Sequence, residues 1–366
     1  MRKITKALAM LIGITLIAQA CDYIDSPAGS AMLDKLHEKR LDVGEALLVV
    51  TRGGVDEIMP YYSYDIDYQD PIVEIDGKKD MKEFLYRIIE GDGMDLTTTV
   101  LDETLIDDTY CATWVMEGLF NGIPYYAHGI SIFKFKPYSH QVYYQRDYYS
   151  EGDIMATIEG MDQMMFFFRE QYKCSVVPDH QCQLPPPTAA ASTQGSEPCE
   201  PNPTYNNQLE VARLLVQLDR CNYKEVSPFL DKAYNYHDPI VSMQDPAKPG
   251  ETITLINSKD KMNGLLGNLF DESTSEALIT VVEDETLVDD IYMATWTMSG
   301  NVDGAELVAP GMSIVKFEKG TTNVLYSRDY YSEGDVMLGV PQLKDAVENF
   351  RIYYKCDVDP QFDCPL

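Results

Sequence analysis

The chain has 366 residues, and its 59 acidic against 29 basic residues give a formal net charge of −30. Nucleic acid and anionic lipid headgroups require basic surface, so this balance argues against both as partners, apart from a covalent lipid anchor. The length is sufficient for two domains, each with its own hydrophobic core.

The N-terminus has the composition of an export signal. Arg2, Lys3 and Lys6 precede an apolar run over 7–18, which is too short to span a bilayer. We expect residues 1–20 to be a signal peptide and the mature protein to be exported, to the bacterial periplasm or to a membrane. Cys21 is then either the lipidated first residue of a lipoprotein or one partner of a disulfide.

The two halves of the sequence repeat each other. DETLIDDTYCATW and RDYYSEGDIM in the first half return as DETLVDDIYMATW and RDYYSEGDVM in the second, and Trp114 and Trp296 lie 182 positions apart. The chain is therefore an internal duplication. We expect domains at 21–182 and 208–366, joined by a Pro-rich, extended and exposed linker at 183–207.

Each repeat begins with helical periodicity and ends with strand periodicity. Apolar stripes predict a helix in the region 33–50 and another from Leu209 to Leu218. A shorter helix is expected near 81–89 and near 262–270, after an Asp-Pro dipeptide in each copy. The remainder alternates as strands do, through GISIFKF to VYYQRDYY. Helices followed by an antiparallel sheet predict the α+β class, with the helices covering one face of the sheet.

Four of the eight cysteines recur with identical spacing, because Cys174 and Cys182 match Cys356 and Cys364. In an exported protein this spacing favours one local disulfide at the end of each repeat. A metal site is the alternative, but no histidine cluster accompanies these cysteines. We expect no metal ion.

The other cysteines are less regular. Cys199 and Cys221 could form a bridge between the linker and the second domain. Cys111 is replaced by Met293 in the other repeat, which is typical of a free thiol in a core. Spacing alone does not fix the pairing of these three cysteines.

The order of these motifs resembles that of the nuclear transport factor 2-like superfamily, above all its SnoaL-like and ketosteroid isomerase-like branches. The Asp-Pro dipeptide, a strand ending in Trp-x-x-x-Gly, GISIFKF and RDYYSEG carry the resemblance in both repeats. It implies two cone-shaped domains, each a curved, mostly antiparallel sheet that encloses an apolar pocket together with about three helices. It also implies that the fused domains pair through their sheets as a pseudo-dimer.

The resemblance to ketosteroid isomerase also implies catalytic residues. The catalytic base there is an Asp followed by Pro, and Asp70 and Asp238 hold that position. A carboxylate in an apolar cavity tends to have a raised pKa, which suits proton abstraction from carbon. Asp147 and Asp329, on the last strand of each repeat, are expected to assist.

Six further residues are candidates for contact with a ligand. Tyr149 and Tyr331 replace a pocket-lining Trp of the isomerase, and they share a strand face with the nearby aspartates. Trp114 and Trp296 hold the place of a pocket-lining Phe, and Ser131 and Ser313 that of a protonated Asp.

The departures from the isomerase concern the donors that stabilise an enolate oxygen. Ala46 and Leu214 align with the donor Tyr, and Ser131 and Ser313 align with the donor Asp. The sequence therefore argues against classical ketosteroid isomerase activity.

Two hypotheses for the function follow. The first is an exported module that binds a small apolar molecule or acts as a scaffold. The second is an isomerase, cyclase or lyase that acts on an enolisable carbonyl compound with an Asp as general base. No nucleotide-binding or nucleophile motif is present, and we expect no cofactor.

Overall fold

The computed structural model describes residues 27–91, 94–120, 122–183, 204–244, 252–270, 278–302 and 305–365. The expected signal peptide, Cys21, Cys199 and most of the linker lie outside the described residues. The described residues confirm the α+β class, with two separate sheets and helices packed on them.

The first repeat forms a 6-stranded sheet in the order β2-β1-β6-β5-β4-β3, with all neighbours antiparallel except β1 and β6. Its strands are β1 (Tyr62–Gln69), β2 (Glu74–Asp76), β3 (Asp95–Ile106), β4 (Thr109–Phe120), β5 (Ile123–Phe135) and β6 (Val142–Tyr149). Its helices are α1 (Pro27–Leu48), α2 (Val55–Ile58), α3 (Lys78–Ile89), α4 (Glu151–Met155) and α5 (Met161–Val176).

The second repeat has the same architecture, with a 5-stranded sheet in the order β10-β11-β12-β13-β7 and a separate pair β8-β9. Its strands are β7 (Leu230–His237), β8 (Ser242–Gln244), β9 (Thr252–Thr254), β10 (Ile279–Val288), β11 (Ile291–Val302), β12 (Ala305–Phe317) and β13 (Val324–Tyr331). Its helices are α6 (Gln208–Val216), α7 (Lys259–Phe270), α8 (Glu333–Leu338) and α9 (Lys344–Val358).

Tight Asp-Asp turns set the register of the long strands. Asp107, between β3 and β4, has φ 54°, and Asp289 and Asp290, between β10 and β11, have φ 49° and 66°. Aspartate tolerates this left-handed conformation, which two-residue hairpins require. The turn pairs Ile106 with Thr109 and so fixes which β4 side chains face the helices.

The last helix of each repeat packs into the core of the other repeat. Phe350 and Tyr354 of α9 are buried in the hydrophobic core of the first repeat. Val176, the last residue of α5, is buried in the core of the second repeat, where Asn268 Nδ2 donates to its carbonyl at 3.1 Å. Each core is therefore completed by a helix that lies in the other half of the sequence.

The outward faces of the two sheets also share one buried cluster. It consists of Cys111, Ile130, Ile132 and Tyr148 from the first repeat and Met293, Met312, Ile314 and Tyr330 from the second. Cys111 is free and buried, as expected, and packs in this cluster together with its repeat counterpart, Met293. The cluster is apolar apart from its tyrosine hydroxyls, so burying it stabilises the contact between the repeats.

Crossed ion pairs reinforce the helix exchange. Arg169 of α5 donates from Nε to Glu333 Oε1 of the second repeat at 2.7 Å and from Nη2 to Asp153 Oδ1 of its own repeat at 2.7 Å. The side chain of Glu333 is fully buried. A buried carboxylate of this kind requires a charged partner, and the sequence supplies it from the opposite repeat.

The helix α9 of the second repeat forms the equivalent ion pairs with the first repeat. Arg351 of α9 donates from Nε to Glu151 Oε1 at 2.8 Å and from Nη2 to Asp335 Oδ1 at 2.6 Å. A Cβ atom on Gly334 would overlap the Glu151 carboxylate, so only glycine fits there. The repeated SEGD motif is thus explained by the contact between the repeats.

Two of the cysteine predictions are confirmed. Cys174 pairs with Cys182 and Cys356 pairs with Cys364, at Cα–Cα distances of 5.4 and 5.5 Å. Each bridge closes a short segment directly after an exchanged helix. Cys221 is also disulfide-bonded.

We expect Arg351→Met to destabilise both repeats together. Burial raises the pKa of Glu151 to about 7, against the stabilising charge and hydrogen bond of Arg351. Without Arg351 an unpaired carboxylate is left in the interior, and breaking such a pair costs about 3–5 kcal/mol in the free energy of unfolding. Urea unfolding at pH 8, followed by fluorescence of the two tryptophans, one in each repeat, measures this cost.

The double variant Arg351→Met/Glu151→Gln is the control and should recover part of the loss, because the charge of Glu151 is gone while Asp335 still lacks its partner. The cost for Arg351→Met should also be smaller at pH 5. The pKa of Glu151 is higher in the folded state than in the unfolded state. The cost of ionising Glu151 in the folded protein therefore grows as pH rises above its unfolded-state pKa. A loss below about 1 kcal/mol at pH 8 would contradict a structural role for the pair.

Candidate functional site

The cone of the first repeat encloses a cavity of about 90 Å³ between its helices and the concave face of its sheet. Its apolar wall consists of Leu47, Leu48, Val50, Met81, Phe84, Leu85, Ile88, Ile89, Leu96, Trp114 and Met116. Its polar wall consists of Tyr62, Tyr68, Thr98, Ser131, Gln145 and Asp147. The cavity is therefore an apolar site with one carboxylate in its wall.

Asp147 provides this carboxylate. Gln145 Nε2 donates to its two oxygens at 3.3 and 3.2 Å, and the Ser131 hydroxyl also binds it. Burial raises the pKa of Asp147 to about 6, and the hydrogen bonds from Ser131 and Gln145 limit the rise. A substantial fraction of Asp147 is thus protonated just below neutral pH.

Trp114 orients Ser131. Its Nε1 donates to Ser131 Oγ at 2.8 Å, and a Cβ atom on Gly129 of the GISIFKF motif would overlap its ring. This close approach explains why the motif begins with glycine. The single N–H of Trp114 donates to Ser131, and the single O–H of Ser131 donates to Asp147, so neither group is free to donate to a ligand.

Asp70 is saturated with hydrogen bonds. Its Oδ1 accepts from the backbone amides of Ile72 and Val73, both at 2.7 Å, and its Oδ2 accepts from Tyr68 at 3.1 Å and Tyr149 at 3.0 Å. Burial raises the pKa of Asp70, and these four donors oppose the rise. The amide contacts are those of an Asp turn, so this side chain shapes the chain after β1.

Asp238 has the same environment in the second repeat. Its Oδ1 accepts from the amides of Ile240 at 2.7 Å and Val241 at 2.9 Å, and its Oδ2 accepts from Tyr331 at 2.8 Å. Tyr236 Oη lies 3.3 Å from Oδ2, but its one proton serves the closer Asp329. Burial again raises its pKa while these donors lower it. Both Asp-Pro carboxylates are therefore tied to amides and tyrosines rather than exposed to a ligand.

The second repeat also reproduces the tryptophan-serine-aspartate chain. Trp296 Nε1 donates to Ser313 Oγ at 2.8 Å, and Ser313 Oγ donates to Asp329 Oδ1 at 2.6 Å. Tyr236 donates to Asp329 Oδ2 at 2.7 Å. Burial raises the pKa of Asp329 to about 6, against these hydrogen bonds.

The structure thus brings together all ten candidate site residues, five in each repeat, and adds residues that the sequence analysis missed. Tyr68 and Tyr236 precede their Asp-Pro dipeptides by two positions, a strand spacing that places both side chains on one face. Tyr354 bonds to Tyr149, although it lies in the opposite repeat. The spacing of Tyr68 and Tyr236 from the Asp-Pro dipeptides is visible in the sequence, whereas no local pattern indicates the contact of Tyr354 with Tyr149.

Most hydrogen-bond donors in the first cone are already in use and are not free to stabilise an oxyanion. Among the described residues, the N–H of Trp114 and the O–H groups of Ser131 and Tyr149 already serve the aspartates. Stabilising an enolate oxygen would require one of these bonds to break, which offsets the gain. This geometry agrees with the loss of the isomerase donors in the sequence.

One group of three potential metal ligands occurs among the described residues, Glu170, Cys174 and His180. The Cys174 sulfur is already bonded to Cys182, and Glu170 accepts from His180 and from the backbone amide of Gln183. With no free thiolate, this cluster is better explained as a cap on the end of α5.

Comparison with known proteins finds similar structures of single-domain size. A protein of ketosteroid isomerase-like fold from Catenulispora acidiphila, solved with trimethylamine, is 14% identical and covers 32% of this chain and 90% of its own, with a TM-score of 0.29. An LEH-like epoxide hydrolase from M. tuberculosis is 14% identical, covering 36% and 97%, with a TM-score of 0.30. A nuclear transport factor 2-like protein from Cytophaga hutchinsonii is 11% identical, covering 31% and 98%, with a TM-score of 0.27.

Each of these structures covers about a third of this chain and most of its own length. No protein-family model matches the sequence, and the comparison with curated proteins finds no match. Within the described residues, no helix is long and apolar enough to cross a membrane.

We expect Asp147 to make stability depend on pH. Its folded-state pKa of about 6 exceeds the ordinary aspartate value of 3.8, so the folded state binds more protons than the unfolded state between these pH values. Ionisation therefore lowers the free energy of unfolding as pH rises from 4 to 6. Asp147→Asn removes this cost, which reaches at most about 3 kcal/mol at pH 8.

Carboxyl-carbon NMR and urea unfolding at pH 4 and pH 8 measure this effect. A signal that titrates near pH 6 should disappear in Asp147→Asn, and the variant should gain stability relative to the wild type as pH rises. Asp329→Asn is the matched variant in the other repeat, and it should also gain stability relative to the wild type as pH rises. An unshifted Asp147 titration would show that the carboxylate is solvated.

Proposed function

We propose that the protein binds a small apolar molecule with one hydrogen-bond donor in the cone of the first repeat, and that Asp147 accepts that donor. The observation that carries this proposal is that Asp147 is the charged side chain in the wall of a cavity lined mainly by apolar residues. Asp70 serves the turn after β1, which leaves Asp147 as the charged group available to a ligand.

The hydrogen-bond capacity of the cavity supports a ligand that donates. A carboxylate accepts about four hydrogen bonds, and Asp147 receives bonds from Gln145 and Ser131. Tyr68 is within reach of both Asp70 and Asp147, but its one proton serves one carboxylate at a time. Asp147 therefore keeps capacity for an O–H or N–H from a ligand.

The size of the cavity limits the ligand. About 90 Å³ is smaller than an engineered cavity of ~150 Å³ that holds benzene. If the side chains of the wall do not move, the cavity can hold a ligand of only a few non-hydrogen atoms. Short branched alcohols are suitable probes of this volume.

A second candidate function is proton transfer at carbon, with Asp147 as the base. The raised pKa of Asp147, about 6, favours it, because general bases work best when their pKa lies near the working pH. The committed donors of Trp114, Ser131 and Tyr149 count against it. We therefore rank binding first.

A matched pair of probes separates these functions. 2-Butanol and 2-butanone share a carbon skeleton, but only the alcohol donates a hydrogen bond. At pH 7 we expect 2-butanol to shift the methyl signals of Met81 and Met116, which line the cavity, in a saturable manner. The ketone should bind about tenfold more weakly, the worth of one hydrogen bond to a charged group.

Asp147→Asn should remove most of the preference for the alcohol, and Asp329→Asn, in the other repeat, should leave the Met81 and Met116 shifts unchanged. Equal affinity for the two probes would contradict the role of Asp147. Exchange of the 2-butanone α-hydrogens in D₂O that is faster than in buffer and lost in Asp147→Asn would instead establish the catalytic function.

We further propose that the protein is exported and anchored by a lipid on Cys21. The support is the charged and apolar pattern of residues 1–20, which lie outside the described residues. Radiolabelled palmitate fed to a bacterial expression host should label the protein, and Cys21→Ser should abolish the label. A processed and exported but unlabelled protein would favour the alternative, a soluble form with Cys21 in a disulfide.

A further inference from the structure

A second and larger cavity of about 480 Å³ lies where the repeats meet, and its wall includes Tyr149 of the first cone and Asp329 of the second. Its wall combines the start of β5, the end of β7 and one face of α5. The side chains that concern the argument are Tyr126, His128, Lys173 and His237. The volume is typical of sites for small organic molecules.

Lys173 is an unusual side chain in this cleft, because it is only 7% exposed. Within the described part of the chain, its ammonium group makes no hydrogen bond or ion pair. The neighbouring Glu170 is bound to His180 and to the amide of Gln183. Burial, followed by the charge of Arg169, lowers the pKa of Lys173. The charges of Glu333, Glu170 and Asp238 oppose this shift without contacting the ammonium group. A bound anion would therefore give this largely buried cation the direct partner that it lacks.

The other charged side chains in the wall of the cleft already have partners. Arg169 forms ion pairs with Asp153 and Glu333. Asp329 accepts hydrogen bonds from Ser313 and Tyr236, and the nearby Asp238 accepts from two amides and Tyr331. Arg328, whose charge lowers the pKa of both His128 and His237, does not line the cleft. Among the described residues of the wall, Lys173 is therefore the cation without a hydrogen bond or ion pair of its own.

Two imidazoles form the aromatic part of the wall. The rings of His128 and His237 lie edge to face with centroids 5.4 Å apart, and Tyr126 Oη lies 2.8 Å from His128 Nε2. Burial lowers the pKa of His128 to about 4 and that of His237 to about 3. Both rings are thus neutral at pH 7, and both belong to the wall of the cleft.

The other repeat lacks this combination. Val308 and Pro310 hold the positions of Tyr126 and His128, and Gln69 holds that of His237. The equivalent lysine, Lys355, lies over the Phe362 ring at 5.7 Å from its centroid. The repeats share the ion-pair residues but differ at the residues that give the cleft its aromatic wall.

From these observations we propose that the cleft binds a small aromatic carboxylate, whose anionic group pairs with Lys173 and whose ring packs against His128 and His237. This site is independent of the first cone, because it lies outside the cavity that contains Asp147. The net charge of −30 makes a non-specific attraction of organic anions to the protein surface unfavourable.

The test uses the full disulfide-bonded chain without its signal peptide and two probes, 1-naphthoate and the neutral analogue 1-naphthalenemethanol. Isothermal titration at pH 7 should show that naphthoate binds with at least tenfold higher affinity than the alcohol, because one charge-assisted hydrogen bond is worth that much. Lys173→Met should abolish this difference while affinity for the alcohol stays the same.

Lys355→Met is the matched control, since it removes the same charge at the equivalent position of the other repeat. It should leave naphthoate binding unchanged. His237→Gln, which installs the residue of the other repeat, should weaken both probes several-fold, because it removes a ring rather than a charge.

A measurement on the wild-type protein covers the case in which Lys173→Met does not fold. The chain has five histidines, and naphthoate should shift the ring signals of His128 and His237 in the NMR spectrum, with His237→Gln giving the assignment. No binding of naphthoate at millimolar concentration overturns the proposal. Equal losses in Lys173→Met and Lys355→Met, or shifts confined to other histidines, also overturn it.

Discussion

The crossed ion pairs between Glu151, Glu333 and the arginines of the exchanged helices constrain the rest of this structure. Fully buried carboxylates are stable only beside a cation, and here each cation arrives on a helix from the opposite repeat. Neither repeat can satisfy its own buried glutamate in this arrangement. The strongest repeated motif, RDYYSEGD, therefore combines two tasks, since its first aspartate faces the cone and its SEGD segment holds the repeats together.

The exchange also connects stability with the candidate site. Tyr354 reaches the first cone from α9 and bonds to Tyr149, while Tyr172 of α5 packs beside Trp296 and Tyr331 of the second. Each cone is thus contacted by a tyrosine from the other half of the chain.

The two repeats differ in a physically meaningful way. Inside the cones the same chain of tryptophan, serine and aspartate occurs twice, with the same geometry and with both carboxylates near a pKa of 6. In the cleft between them the symmetry is broken, because His128 faces a lysine with no acceptor while its counterpart is Pro310. A duplicated chain can keep one scaffold and still develop a single asymmetric site, because the contact surface brings non-equivalent residues together.

The sequence alone determined the duplication, the α+β order and the local disulfides, and it indicated Trp114, Ser131 and Asp147, which line the first cavity. These are local or periodic features, in which neighbours along the chain decide strand faces, turns and short loops. Even the absence of isomerase donors could be read from Ala46, Leu214 and the two serines. Only the tertiary structure decided which donors saturate Asp70, why Asp147 and not Asp70 faces the cavity, and where Lys173 lies. Those properties depend on contacts between residues on different strands, such as Tyr149 and Asp70, and on the burial of charges across the two repeats, which no local pattern in the chain encodes.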